Sequence, residues 1–437
     1  MTKTICLLSS VMILVFALLN LNRNAYGKVY VDIDSPTFNP IPVAISDFNP
    51  KAGGPATQAD VSGIIAEGVR QDLSLTGLFN ILQKKSFLEQ NPGIEKIRFA
   101  DWMAIGADYL LKGEIVKNDR EVISNAYFYE VSRGERVFGR KYRAGAGEVK
   151  AISRAIAKDI MLALFNDAGD FNTHIAFVPK KGLKSDIYSI SYDGSEIRKR
   201  TSHQSILLAP RWSPDGRLLA FTSFRRGRPE IYIQNLQNGL EQKVTSFDGM
   251  NLCGSFSPDN RKLLLTLSKD GNNEIYVLDI ASLSLKRLTN NYAIDVSPSW
   301  SPDGKKIAFV SNRSGSPQIY TMDADGGNVK RVTYDGDYNS SPSWSPRGDR
   351  LAYEGRVNNK YQIFTIDPDG GNPQQLTSDH TDHESPSWSP SGRQIVYVSH
   401  KQGKSTVFIM NANGTNPRQL YETNSKVVMS TWSPRSQ

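Results

Sequence analysis

The phrase Ser-Pro-Ser-Trp-Ser-Pro returns at a fixed interval. It begins at Ser297, Ser341 and Ser385, a step of 44 residues each time. The tryptophan extends the series. Trp212, Trp300, Trp344, Trp388 and Trp432 keep the 44-residue period, and Phe256 fills the vacant beat. A period of about 40–45 residues with several short strands marks the blades of a propeller. Such a unit cannot bury its own apolar faces and must stack on neighbours.

One period reads as four strands, A to D. Strand A ends at the Trp. The turn Ser-Pro-Asp-Gly follows, then the apolar run Lys306 to Val310 (B), Gln318 to Met322 (C) and Lys330 to Thr333 (D). Pro302 suits the second position of a tight turn and Gly304 its last. Asn260 replaces that glycine once, and Asn also tolerates the left-handed conformation. Both faces of strand B are apolar, as a strand sandwiched between neighbours requires. The small residues Ala176, Ala220, Ala308 and Ala352 recur there and let blades approach closely.

Counting strands fixes the architecture. Strand B appears six times, and the first (His174 to Val178) has no A before it. Strand A appears six times, and the last (Val427 to Trp432) has no B after it. The simplest closure places the C-terminal strand in the first blade, which removes two open sheet edges. The expected fold is an all-β six-bladed β-propeller over 172–437, preceded by a small α/β domain over 28–165. In that domain strands are expected at Pro42–Ile45, Phe79–Leu82, 108–117, 121–131 and 135–143. Val61, Ile64, Ile65, Val69 and Leu73 share one helical face, and Val149, Ile152, Ile156, Ile160 and Leu164 another. A short helix is expected from Ala100 to Ile105. The short linker around Gly169-Asp170 implies that the domain docks on the ring.

Residues 1–27 differ from the rest. Lys3 precedes an apolar run from Ile5 to Leu21, and Ala25-Tyr26-Gly27 offers small residues to a peptidase. This is a secretory signal, cleaved near Gly27. A membrane anchor is the rival reading, but the run is short for a span. Of the two cysteines, Cys6 leaves with the signal, so Cys253 has no internal partner. No cysteine stands at the cleavage point to carry a lipid. The formal charge of +8 falls by two when Lys3 and Arg23 are removed. That mild bias is not a nucleic-acid footprint, and Arg225, Arg226 and Arg228 read as solvated loop tips.

Catalytic motifs are missing. There is no Gly-x-Ser-x-Gly elbow, P-loop or His-Glu-x-x-His. Asp323-Ala324-Asp325-Gly326 and Asp367-Pro368-Asp369-Gly370 resemble the start of a calcium loop, but Tyr334 and Ser378 stand where its closing Glu belongs. They read as C–D hairpin turns. His380 and His383 have a spacing a metal accepts, in a polar loop with no third ligand cluster. No cofactor or metal is expected. Two function classes remain: an interaction scaffold, and an enzyme acting on carbohydrate at the pore. The five histidines do not recur in the repeat, which favours the scaffold.

A signal segment, a small α/β domain and six Trp-Ser-Pro-Asp-Gly-type repeats ending just after the last one resemble the TolB family. The stretch KVYVDIDSPTFNPIPVAISDF makes the likeness specific. The resemblance implies a non-enzymatic periplasmic component of the Tol-Pal system, associated with the outer membrane through its partners and acting as a monomer. It implies a role in outer-membrane integrity and in constriction at division. It also implies binding of the peptidoglycan-associated lipoprotein Pal by the propeller and of TolA by the mature N-terminus. The TolA-binding strand would be Val29, Val31, Ile33, Asp34 and Ser35. The Pal-facing positions would lie where loops lead into strand A: Met250, Asn251, Asp295, Val296, Asn339, Ser340, Asp382 and His383.

Overall fold

Each repeat becomes a four-stranded antiparallel sheet, and six such sheets ring a common axis. The computed structural model describes residues 39–50, 57–88 and 93–435. The expected signal segment and the expected strand at residues 29–35 lie outside them. In blade 4 the strands are Asp295–Trp300 (A), Lys306–Ser311 (B), Gln318–Asp323 (C) and Lys330–Arg331 (D), hydrogen-bonded in that order. Blades 2, 3, 5 and 6 repeat the order from strands A at Leu207–Trp212, Asn251–Phe256, Asn339–Trp344 and Asp382–Trp388. In blade 1 strand B (His174–Lys181) pairs antiparallel with Lys426–Trp432, so the last strand of the chain is the inner strand of the first blade.

The recurring phrase has a local cause. In every strand A the register against B shifts midway, as between Val296 and Ser299. Ser297, Ser341 and Ser385 sit at this bulge with φ of 54°, 55° and 58°, each followed by proline. The bulge re-aims the strand just before the tryptophan. In three blades the indole then ties one blade to the previous one. Trp344 Nε1 donates to the Ser299 carbonyl and Trp388 Nε1 to the Ser343 carbonyl, both at 3.1 Å. Trp212 Nε1 reaches the Thr431 carbonyl at 3.3 Å across the closure. These rings are inter-blade rivets. Ala176, Ala220, Ala308 and Ala352 are fully buried on strand B. Asn260 takes φ of 61° where the other turns have glycine, such as Gly304 at 69°.

The preceding domain is a mixed sheet with two long helices on one face and one short helix, carrying Trp102, on the other. β1 (Ile41–Ile45) lies between β3 (Phe79–Ile81) and β4 (Tyr109–Lys117), parallel to both. β5 (Glu121–Glu130) and β6 (Glu135–Gly145) continue as antiparallel hairpins, and β2 (Asn49–Pro50) pairs with β4. α1 (Thr57–Leu75) and α3 (Val149–Phe165) pack together, burying Ile65, Val69, Leu73, Ile152, Ile156 and Ile160. α2 (Phe99–Ala104) buries Trp102.

Strand direction alternates within a blade. A–B and C–D turns therefore share one end of the ring, and B–C turns and D–A loops share the other. The α/β domain docks on the first end, over blades 1 and 6. The Leu75 carbonyl at the end of α1 accepts from the Tyr192 hydroxyl at 2.7 Å and from Gln394 Nε2 at 2.9 Å. Arg154 of α3 pairs with Asp193 at 2.7 Å. In the linker, Asp167 and Asp170 bind Arg435 at 2.6 and 3.2 Å. One apolar cluster runs from α1 and α3 through Phe171 and Tyr192 to Trp432. The domain and the closing strand thus share a core.

Candidate partner-binding face

The D–A loops at the free end are held by a side chain at the start of the strand they lead into. Asn251, Asp295, Asn339 and His383 occupy the same register position 44 residues apart, and all four are buried. Each bonds back four residues. Asn251 Nδ2 donates to the Phe247 carbonyl at 2.7 Å, and its Oδ1 accepts from the Phe247 N–H at 3.2 Å. Asp295 accepts from Asn291 Nδ2 and from Arg313, each at 2.8 Å. Asn339 Nδ2 donates to the Asp335 carbonyl and to Gln318 Oε1, each at 2.8 Å. His383 Nε2 lies 2.8 Å from Asp379 Oδ1 and 3.0 Å from Thr381 Oγ1. Against the pull of burial, the bonds from Thr381 and His383 hold the Asp379 carboxyl below its usual range. Different chemistries do one job, which is to staple a variable loop to a repeated frame.

This changes the role of several residues expected at the surface. Asn251, Asp295, Asn339 and His383 turn their side chains inward, because a polar loop over a sheet needs buried partners for its backbone. Ser340 is buried too and donates to Glu354 at 2.6 Å. Val296 is half-buried and packs on the cluster of Ala308, Val310 and Tyr353. A charge at Val296 would therefore disturb folding as well as binding. Asp382 is half-buried, accepting from the Tyr361 N–H and from Lys360, each at 3.1 Å. Against burial, those two donors hold its carboxyl below the usual range. Only Met250 of this set is exposed.

Apart from Met250, the residues that project lie outside the expected set. Phe247 and Met250 stand out of the loop into blade 3, Tyr292 and Ile294 out of the loop into blade 4, and Tyr334 out of the loop into blade 5. Tyr292 is fully exposed. The signal for them was an aromatic or branched residue inside an otherwise polar loop. Three arginines at this end are paired: Arg225 with Glu241 at 2.7 Å, Arg228 with Asp248 at 3.1 Å and Arg356 with Asp337 at 2.6 Å. Lys180, Lys181 and Lys184 of the blade 1 B–C turn stand exposed at the same end, so the face combines apolar tips with a basic edge. Among the described residues no group of three or more His, Cys, Asp or Glu is placed to hold a metal.

A six-bladed propeller ring with a docked α/β domain and loops stapled at its free end defines the class of fold. Comparison with known proteins narrows the class. The chain matches the TolB beta propeller domain over residues 163–436 and the TolB amino-terminal domain over residues 29–137. The chain belongs to the TolB family. It is 44% identical over 219 residues to the Tol-Pal system protein TolB of Syntrophus aciditrophicus, covering 48% of each chain. It is 33% identical over 213 residues to that of Anaeromyxobacter dehalogenans, again 48% of each. The chain thus spans about half the length of the curated relatives it matches. The crystal structure of TolB from Acinetobacter baumannii superposes with a TM-score of 0.80 at 30% identity, covering 91% of this chain and 97% of that one.

Proposed function

We propose that the chain is a non-enzymatic, periplasmic scaffold of the Tol-Pal system. On this reading residues 1–27 are the cleaved signal, 28–165 the small domain and 172–437 the propeller. The D–A loop face takes the lipoprotein Pal, and the segment with Val29, Val31, Ile33, Asp34 and Ser35 takes TolA. The monomer reaches the outer membrane through these partners and supports its integrity and its constriction at division. The observation that carries this reading is the gathering of Phe247, Met250, Tyr292, Ile294 and Tyr334 on stapled loops at the end the small domain leaves free. Family membership supports it, since the matched relatives are Tol-Pal system proteins by name. No described helix is long and apolar enough to cross a membrane.

Several loops converge on that end, so an interface of standard size, about 1,200–2,000 Å² in total, is attainable. Binding energy concentrates in a few exposed aromatics at such faces. The test is capture of partners from a periplasmic extract by the mature chain. Recovery of a peptidoglycan-linked lipoprotein supports the scaffold. Turnover of saccharides by the purified chain, without such recovery, overturns it. Tyr292→Ala with Ile294→Asp is expected to weaken lipoprotein binding about 30-fold, which corresponds to about 2 kcal/mol, with an unchanged melting temperature. Deleting residues 28–38 is expected to abolish TolA binding alone. A large loss of stability would make that segment structural instead.

A further inference from the structure

The register position just before the tryptophan holds Ser255, Ser299, Ser343, Ser387 and Thr431 in five blades, and Arg211 in the remaining one. All six lie on the innermost strand of their blade. Arg211 stands opposite Ala220, Ser299 opposite Ala308, Ser343 opposite Ala352 and Thr431 opposite Ala176. The frame therefore asks only for a small hydroxyl here. Ser255 Oγ accepts from the Trp300 N–H at 2.8 Å, and Ser387 Oγ from the Trp432 N–H at 3.1 Å. Each of these hydroxyls keeps its own proton to donate. Solvent reaches this inner layer at Ser297, which is exposed, and in part at Ser341 and Ser385.

Arg211 is a fixed positive charge in this ring. Its Nη1 donates to the adjacent Pro210 carbonyl at 3.0 Å. Among the described residues no carboxylate lies within ion-pair distance of it. The one titratable group whose field reaches it is Cys253, whose thiol burial pushes up to about 12 and so keeps neutral. Carboxylates on or beside the inner strands are committed elsewhere, Asp295 to Arg313 and Asp382 to Lys360. Glu354 accepts from Ser340 Oγ and from the Ser385 N–H, and Glu384 lies 3.4 Å from His400. Enclosure pulls the Arg211 pKa below its ordinary value, yet a guanidinium keeps its proton. An enclosed charge without a counter-charge is unfavourable, and low-dielectric walls focus its field down the channel.

We propose that the propeller pore binds a small inorganic anion, of the halide or phosphate class, on Arg211 and the hydroxyls of the same inner ring. The anion supplies the counter-charge the protein omits, and the five donors of the guanidinium outnumber the one carbonyl it meets. This site is separate from the partner face and does not depend on it.

The full chain is melted at constant ionic strength while chloride, or in a second series inorganic phosphate, replaces a bulky organic anion. A ligand bound only by the native state raises the melting temperature saturably. The wild type is expected to show this with at least one of the two anions. Arg211→Ser, which installs the residue of the other blades, is expected to weaken the apparent affinity at least tenfold, and Arg211→Lys less. Excess chloride-35 linewidth on the wild type, displaced by phosphate if both share the site, gives a readout independent of folding of the variants. Response to chloride alone assigns a halide, and response to phosphate alone an oxyanion. Equal responses in wild type and Arg211→Ser overturn the proposal. So does a wild type with neither saturable stabilisation nor excess linewidth.

Discussion

The two ends of the ring are built from the same strands and differ in what the chain places between them. At the docked end the A–B turns repeat almost residue for residue, and α1 and α3 settle over blades 1 and 6 through Tyr192, Gln394 and Asp193. At the free end no two D–A loops match, and aromatic and aliphatic tips stand in water. The docked end has exposed apolar residues too, Leu240, Leu283 and Val329, but they are single residues in C–D turns of separate blades. The contrast teaches that repetition and variation are assigned by task. Turns that must position neighbouring blades are copied, and loops that must present a distinct surface are freed and then stapled from below.

The closure at the docked end carries the largest expected effect. Deleting Val427 to Gln437 removes the inner strand of blade 1, the buried Trp432 and the Arg435 bridge to Asp167. Loss of a buried Trp alone costs about 3–5 kcal/mol. The melting temperature is expected to fall by more than about 10 °C, on the scale of about 2–4 °C per kcal/mol for a domain of this size. An unchanged melt would show that the ring does not depend on its closing strand.

The seam between domain and ring is next. Asp72 on α1 is buried near Arg154 and Asp193, and desolvation raises its pKa to about 7, with the field of Arg154 opposing. A carboxyl whose folded pKa lies above its unfolded value of about 3.9 binds its proton more tightly in the native state. Stability therefore falls as pH rises from about 4 to 7, and the loss is fully present above 7. Asp72→Asn is expected to gain about 2 kcal/mol over the wild type at pH 8 and almost nothing at pH 4. Parallel stability curves for the two proteins from pH 4 to 8 would contradict this.

The staples at the free end carry the smallest effect on folding. Asn339→Ala removes donors to the Asp335 carbonyl and to Gln318. The expected cost is about 1–2 kcal/mol, with faster amide exchange confined to residues 332–338. Exchange that rises equally in all loops would mean that the staple supports the blade rather than its own loop.

Most of the fold was legible because its cause is local and repeated. The 44-residue step, the turn glycines and the alternation of strand B are short-range patterns, and the unpaired first B and last A told how many strands the ring must share. The free end was read less well. A variable polar loop suggests exposure, and that expectation wrongly includes Asn251, Asp295, Asn339 and His383, which are buried. A polar residue at one register position, bonded four residues back, is nonetheless a visible pattern in 247/251, 291/295, 335/339 and 379/383. The docking contacts were beyond reach, since the Leu75 carbonyl meets Gln394 more than three hundred residues away. No periodicity encodes such a pair.

The central claim, that partner binding belongs to the stapled loops and not to the docked end, is tested most directly by mapping amide exchange on the full chain with and without the peptidoglycan-associated lipoprotein. Protection is expected at residues 246–250, 288–294 and 332–338, with none at the Ser-Pro-Asp-Gly turns or at the C–D turn carrying Asp325. Protection of those turns, with the D–A loops exchanging as freely as before, would contradict it.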